Sequence, residues 1–218
     1  MHPQFWHERW QQGQIGFHQP DYHPALLATW PTLGLAADAR VLVPLCGRSL
    51  DMAWLAARGH TVVGIELSPI AVEGFFAHER LEPVRDAVGG LERWRAGRYE
   101  LLCGDFFDLG PEALGAVAGW YDRAALVALP PDMRRRYVER LGELLPPGAR
   151  GLLLTHDYDQ AEMAGPPFSV PPVEVEGLYG AAFEVEPLTR HDSLPDNPRF
   201  RERGLSAFFE SSFRLRRR

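Results

Sequence analysis

From residue 40 onward, short β-branched apolar runs alternate with stretches of helical periodicity. That alternation confines the chain to an α/β fold, a mostly parallel, doubly wound sheet with helices on both faces. The run Val41-Leu42-Val43-Pro44 reads as a buried parallel strand. The loop Leu45-Cys46-Gly47-Arg48 then leads into a helix opening near Ser49, a candidate N-cap, with Asp51 in the first turn and Gly59 at the end. A second strand covers 61–67, and Ser68-Pro69 open a helix reaching Arg80. Residues 82–98 read as a loop around Gly89-Gly90 enclosing at most a helical turn, residues 99–103 as a third strand, and a fourth runs from Trp120 to near Leu126. After Pro130-Pro131, one helical face carries Met133, Tyr137, Leu141, Leu144 and Leu145, and Pro146-Pro147-Gly148 stops it. Residues 151–155 form a further strand; 182–188 and 205–215 read as two strands joined by a long loop, an antiparallel hairpin at one edge.

Ahead of this pattern lie two short helices, at 4–12 and 22–30, rich in aromatic residues that include Trp6, Trp10 and Trp30. The connecting loop holds Phe17, His18 and Gln19 and could close over a ligand. The expectation is one domain over 1–218, with 1–35 as a helical cap over the active site.

The content of 45% hydrophobic residues suits a packed core, and no apolar run is long enough to span a bilayer. Without a secretory pattern at the N-terminus, the expected setting is the cytoplasm, away from membranes. A net charge of -6 argues against nucleic acid as partner, and the run Arg214 to Arg218 reads as a solvated tail. All 23 basic residues are arginine. The lack of lysine removes Schiff-base chemistry, pyridoxal-phosphate attachment and a Walker-type lysine, and leaves arginine as the permanent cation for holding an anion. Cys46 and Cys103 fit neither a disulfide framework nor a zinc spacing and read as apolar fillers, so no metal is expected. No heptad pattern stands out, and a monomer is the expected assembly.

In an open parallel sheet, ligands sit outside the carboxyl ends of the strands. The first strand delivers Leu45-Cys46-Gly47 there, with Gly47 permitting close backbone approach. The second ends in Glu66, nineteen residues beyond Gly47, where a carboxylate can accept from both ribose hydroxyls of an adenosine. The loop is not GxGxxG, so a pyrophosphate-bearing dinucleotide is disfavoured, and S-adenosylmethionine is the better expectation than NAD. Asp105 and Phe106, after the third strand, are candidates to hydrogen-bond and sandwich the adenine. Asp122-Arg123 on the fourth strand, at a predicted sheet edge, is either a structural ion pair or an active-site device.

Four segments, FWHERWQQGQIGFHQ, VLVPLCGRSLDMAWLAARGHTVVGIELS, YDRAALVALPPDMRRRY and FRERGLSAFFESSFRL, resemble the thiopurine S-methyltransferase family in order and spacing, from Phe5 to Leu215. The resemblance implies a class I S-adenosylmethionine-dependent methyltransferase fold and S-methylation of small aromatic or heterocyclic thiols such as thiopurines, with S-adenosylhomocysteine as product. It implies that Trp10, Leu45, Glu66, Arg123, Asp105 and Phe106 hold the cofactor, that Phe17 faces the substrate, and that Arg123 and Arg203 line the sulfur pocket and favour a thiolate. Methylation of selenium or tellurium compounds is the alternative within the family, in keeping with an arginine-only composition that suits a bacterial-type member. Outside it stand a nicotinamide oxidoreductase and a nucleoside-binding module without turnover.

Overall fold

The computed structural model describes residues 3–14 and 19–218. Nine strands form one sheet in the order β3-β4-β5-β2-β1-β6-β7-β9-β8. They are β1 (Arg40–Pro44), β2 (Thr61–Glu66), β3 (Val84–Val88), β4 (Leu91–Ala96), β5 (Tyr99–Cys103), β6 (Gly119–Arg123), β7 (Arg150–Asp157), β8 (Phe183–Asp192) and β9 (Phe209–Arg217). The five central strands β5, β2, β1, β6 and β7 are parallel, and the two outer strands on either side pair antiparallel. The helices are α1 (Pro3–Gln11), α2 (Pro24–Thr29), α3 (Asp51–Ala57), α4 (Pro69–Glu79), α5 (Pro111–Leu114), α6 (Pro131–Leu144), α7 (Pro172–Tyr179) and α8 (Pro198–Glu202).

Period-two alternation sorts the strand residues onto two cores. Leu42, Trp120 and Leu153 point to the face covered by α5, α6 and α7, where Tyr137, Leu141, Val175 and Tyr179 are buried. Val41, Val43, Tyr121, Leu152 and Leu154 point to the opposite face, against Leu26 of α2, Met52 and Leu55 of α3, and Val72, Phe75 and Phe76 of α4. A smaller cluster of Tyr158, Leu194, Phe200, Leu205 and Phe208 seats α8.

The C-terminal hairpin is present, with β9 inserted between β7 and β8. Three sequence expectations are corrected. Residues 84–96 form a second antiparallel hairpin, β3-β4, at the opposite edge of the sheet. Its two-residue turn is Gly89-Gly90, at φ of 57° and 83°, the left-handed pair that a tight hairpin demands. The arginine-rich terminus is no solvated tail but the end of β9: Arg214 bonds Glu186 at 2.7 Å, Arg216 faces Glu184 at 3.6 Å, and Arg217 donates to the Gly142 and Ala182 carbonyls. Glu184 and Glu186 on β8 lie opposite Arg216 and Arg214 in register, so cross-strand pairing holds these charges in place. Finally, β6 lies between β1 and β7 rather than at the sheet edge, and it stops at Arg123 because Ala124 turns left-handed at φ 67°. Among the described residues no helix is long and apolar enough to cross a membrane.

Candidate functional site

Sheet order reverses between β1 and β6, whose carboxyl ends therefore splay apart with a crevice between them. The residues just beyond those ends, Leu45 (φ 46°) and Ala124 (φ 67°), are both non-glycine and both left-handed. Such a conformation costs of order 1–3 kcal/mol and persists where surrounding structure enforces it, typically at ligand sites. Both line a cavity of about 290 Å³ over the strand ends.

Glu66 ends β2 at the floor of this cavity, with only 6% of its surface exposed. Its Oε2 accepts from the Gly47 amide and its Oε1 from the Ser68 amide, each at 2.8 Å. Burial pushes the carboxyl up, while the amides of Ser68, Gly47 and Leu67 act in the opposite sense. An ionised carboxylate offers about four acceptor positions, so each oxygen keeps one for a ligand. Ser68, the residue that opens α4, makes no side-chain cap bond, and its amide is held by Glu66 instead. Gly47 is left-handed at φ 53°, and a Cβ there would lie 3.3 Å from the Trp10 ring. The only buried residue of α1 is thus seated against the loop after β1. Cys46 lines the same wall; burial and then the Glu66 charge push its thiol well up, so it stays protonated.

After β5, Asp105 and Phe106 reach the cavity. Asp105 accepts from the Phe107 amide at 2.9 Å, while Phe106 is 4% exposed and packs on Tyr137 with ring centroids 4.8 Å apart. Phe106 is therefore a core residue with one edge on the cavity.

Asp122 and Arg123 do not pair with each other, since neighbours on a strand face opposite sides. Asp122 accepts from the Tyr137 hydroxyl at 2.7 Å and the Leu126 amide at 3.3 Å, and burial raises it to about 6. Arg123 turns to the other face and bonds Asp51 at 2.7 Å. Asp51 is fully buried and also accepts from the Tyr121 hydroxyl and the His23 amide, both at 2.9 Å. This anchor aims Arg123 at the cavity it lines.

Arg203 follows α8 at the exposed rim, its guanidinium 3.8 Å from the Met163 sulfur. Among the lining residues that sequence reasoning did not single out are Arg199 and His156. Arg199 lies one helical turn before Arg203, hence on the same face. Burial, followed by the charges of Arg203 and Arg123, pushes its guanidinium down, and among the described residues no carboxylate pairs with it. The spacing of the two arginines in NPRFRERG was legible once that stretch is read as a helix instead of a loop. His156, near the carboxyl end of β7, obeys the same strand-end rule that singled out Glu66. Thus Trp10, Leu45, Gly47, Glu66, Asp105, Phe106, Arg123 and Arg203 border a single cavity, whereas Phe17 and His18 lie outside the described residues.

A family model described as Thiopurine S-methyltransferase (TPMT) matches residues 1–218. A relative named thiopurine S-methyltransferase, from Pseudomonas entomophila, is 52% identical over 217 residues, covering 100% of both chains. Among solved structures, the 1,6-didemethyltoxoflavin-N1-methyltransferase of Burkholderia thailandensis, with bound 1,6-didemethyltoxoflavin and S-adenosylhomocysteine, matches at a TM-score of 0.64 and 20% identity, covering 97% of this chain and 86% of that one. A S-adenosylmethionine-dependent methyltransferase of Thiobacillus denitrificans, in complex with S-adenosylhomocysteine, matches at 0.64 and 18%, covering 97% and 98%. At such identities these two structures speak for the fold alone, which is that of the class I methyltransferases.

Proposed function

Because this chain belongs to the thiopurine S-methyltransferase family and is a S-adenosylmethionine-dependent transferase, we propose that it methylates the sulfur of a small aromatic or heterocyclic thiol, taken as the thiolate. The observation that carries this reading is a cavity with two chemically distinct ends. One is the buried Glu66 carboxylate beside Gly47; the other is the set of guanidiniums Arg123, Arg199 and Arg203.

The first end fits a nucleoside. The two spare acceptor positions of Glu66 suit a vicinal diol, and the missing Cβ at Gly47 lets the loop lie close under Trp10. Leu45, Asp105 and Phe106 complete the walls around an adenosine. When bound, S-adenosylmethionine supplies a methyl group already activated on a sulfonium, so the protein need furnish no covalent nucleophile. The Cys46 thiol, protonated and buried, does not compete for that methyl.

At the second end the arginines attract an anion and favour the thiolate over the thiol. Arg123 is fixed by Asp51, whereas among the described residues no carboxylate pairs with Arg199 or Arg203. Phe200, its ring centroid 4.7 Å from the Arg199 guanidinium and 6.0 Å from that of Arg203, gives this end apolar surface, which suits a ring bearing the sulfur better than a bare selenium or tellurium oxyanion. Alignment of the two reacting sulfurs can be worth up to ~7–11 kcal/mol when near-attack geometry is enforced. Trp6, Arg9 and Trp10 of α1 cover the cavity and keep water out, in the role of a cap within one methyltransferase domain.

The test is an acceptor screen with purified protein and labelled donor, covering a thiopurine, an aromatic thiol, selenite and tellurite. Transfer to the two thiols is expected, and calorimetry should show donor uptake by the wild type and at least a tenfold loss, roughly 1.4 kcal/mol or more, in Glu66→Ala. Transfer to the oxyanions alone would replace thiols as the substrate class. Donor affinity unaffected by Glu66→Ala would refute the nucleoside end.

A further inference from the structure

A thiol that reaches the arginine end still protonated must lose its proton inside the cavity, and most bases there are already committed. Glu66 accepts two backbone amides, Asp105 caps the Phe107 amide, and Tyr137 donates to Asp122. His156 is different. It lines the cavity beside Arg123 and Arg199, its ring stacked on Phe208 at 4.8 Å and 26°. Its Nδ1 is buried, makes no hydrogen bond among the described residues, and lies 4.0 Å from Oε2 of Glu210. The nitrogen that a ligand can reach is therefore Nε2.

Glu210 is itself held in place. His23 accepts the Ala25 amide on Nδ1, which leaves its proton on Nε2, and that nitrogen meets the same Oε2 of Glu210 at 3.2 Å. Burial raises the Glu210 carboxyl, but the hydrogen bond and charge of His23, with His156 and His191 beyond, bring it below its ordinary value. A carboxylate on the Nδ1 side favours the tautomer with hydrogen on Nδ1 and a lone pair on Nε2, facing the cavity.

Resting on the function proposed above, we propose that His156 is the proton acceptor for thiol substrates, its ring held on Phe208 and its tautomer favoured by the Glu210 charge on the Nδ1 side. The S–H bond breaks as the proton moves to Nε2 of His156, and the bonding pair stays on sulfur. The thiolate sulfur then bonds to the methyl carbon while the pair of the old carbon–sulfonium bond departs on the donor's sulfur as a neutral thioether. The imidazolium afterwards returns its proton to water. Burial first, then the charges of His23, Arg123 and Arg199, brings His156 down to about 4 against the pull of Glu210. The free imidazole is thus neutral and ready to accept. The charges of Arg123 and Arg199 are what a bound thiolate offsets, so proton transfer creates an imidazolium–thiolate pair in which each charge supports the other.

The inference predicts a dependence on substrate acidity that a purely structural histidine would not produce. Two aromatic thiols of similar shape are compared at one pH, one mostly ionised in solution and the other mostly protonated. His156→Gln should lose roughly 100-fold in kcat/KM on the protonated thiol, as removal of a general base does, and far less on the ionised one. Equal losses on both, or none on either, overturn the proposal. A second measurement needs no variant: the protonated thiol is titrated into wild-type protein holding S-adenosylhomocysteine, in buffers of different ionisation enthalpy. Retention of the proton by the complex is expected, and release of a full proton to buffer overturns the assignment. Wild-type turnover of either thiol upholds the functional reading on its own, so a flat His156→Gln result strikes this inference alone, whereas no turnover by the wild type overturns both.

Discussion

At the scale of the residue, the site depends on side chains whose partners lie far away in sequence. Asp51 joins the loop before α2, helix α3 and strand β6 through bonds to the His23 amide, the Tyr121 hydroxyl and Arg123. Asp51→Asn would turn an amino group toward a guanidinium or a phenol and leave a buried cation without its counter-charge. The expected cost is about 3–5 kcal/mol in denaturant unfolding, with a raised KM for the acceptor as Arg123 loses its aim. Unchanged stability and KM together would show that Arg123 is oriented by something else. The sequence marked Asp51 only as an acid in a helix first turn, because its role rests on a contact seventy-two residues along the chain, which no local pattern encodes. Glu66 and Gly47 were legible for the opposite reason: strand-end position and backbone freedom are local properties. Arg123 was visible as a charge, but its separation from Asp122 appears only once the strand pleat is known.

At the scale of the element, α1 is the least self-sufficient part of the wall. It has nine residues and buries one, Trp10, so neither length nor an apolar face stabilises it alone. Its hold on the body includes Trp10 against Gly47, Arg48 5.9 Å from the Trp10 ring centroid, and packing on α4. A nucleoside filling the space beneath Trp10 adds contacts that α1 otherwise lacks. Amide exchange in residues 3–14 should therefore slow by about tenfold or more when S-adenosylhomocysteine is added, and by much less in Trp10→Ala. Equal exchange with and without it would reduce α1 to a packing element. The aromatic pattern placed this helix to within a residue, as apolar runs buried on both faces did β1, β2 and β5, whereas β6 stops three residues short of its expected end and β7 runs two residues beyond. The β3-β4 hairpin escaped because β3 is exposed along most of its length, so no apolar run announces it; Gly-Gly between residues 88 and 91 was the available signal.

At the scale of the whole molecule, the two cores and the cavity between them impose opposing pH dependences on stability. Asp122, buried against α6, is raised to about 6 in the fold from an ordinary 3.8. Between those values the native state holds more protons than the unfolded chain, so this group lowers stability as pH rises. His156, at the cavity, is lowered to about 4 from 6.5. Through that window the unfolded chain holds more protons, so stability rises with pH. Each displacement of two units or somewhat more corresponds to roughly 3 kcal/mol, and the two windows overlap almost fully. In the wild type the contributions largely cancel, and single substitutions separate them. Relative to wild type, Asp122→Asn should gain about 3 kcal/mol of unfolding free energy between pH 4 and 6, as the penalty of burying a charge disappears. His156→Gln should lose about as much between pH 4 and 6.5, because the variant lacks the rise that a neutral, largely desolvated imidazole confers. Urea unfolding of all three proteins across this range measures both differences. Differences of the same sign, or flat with pH, would mean that these two groups are not buried in the charge states from which the cavity chemistry is argued. The stability profile thus checks the neutrality of His156 without any turnover, because the environment that readies it for a thiol proton is the one that makes its protonation costly to the fold.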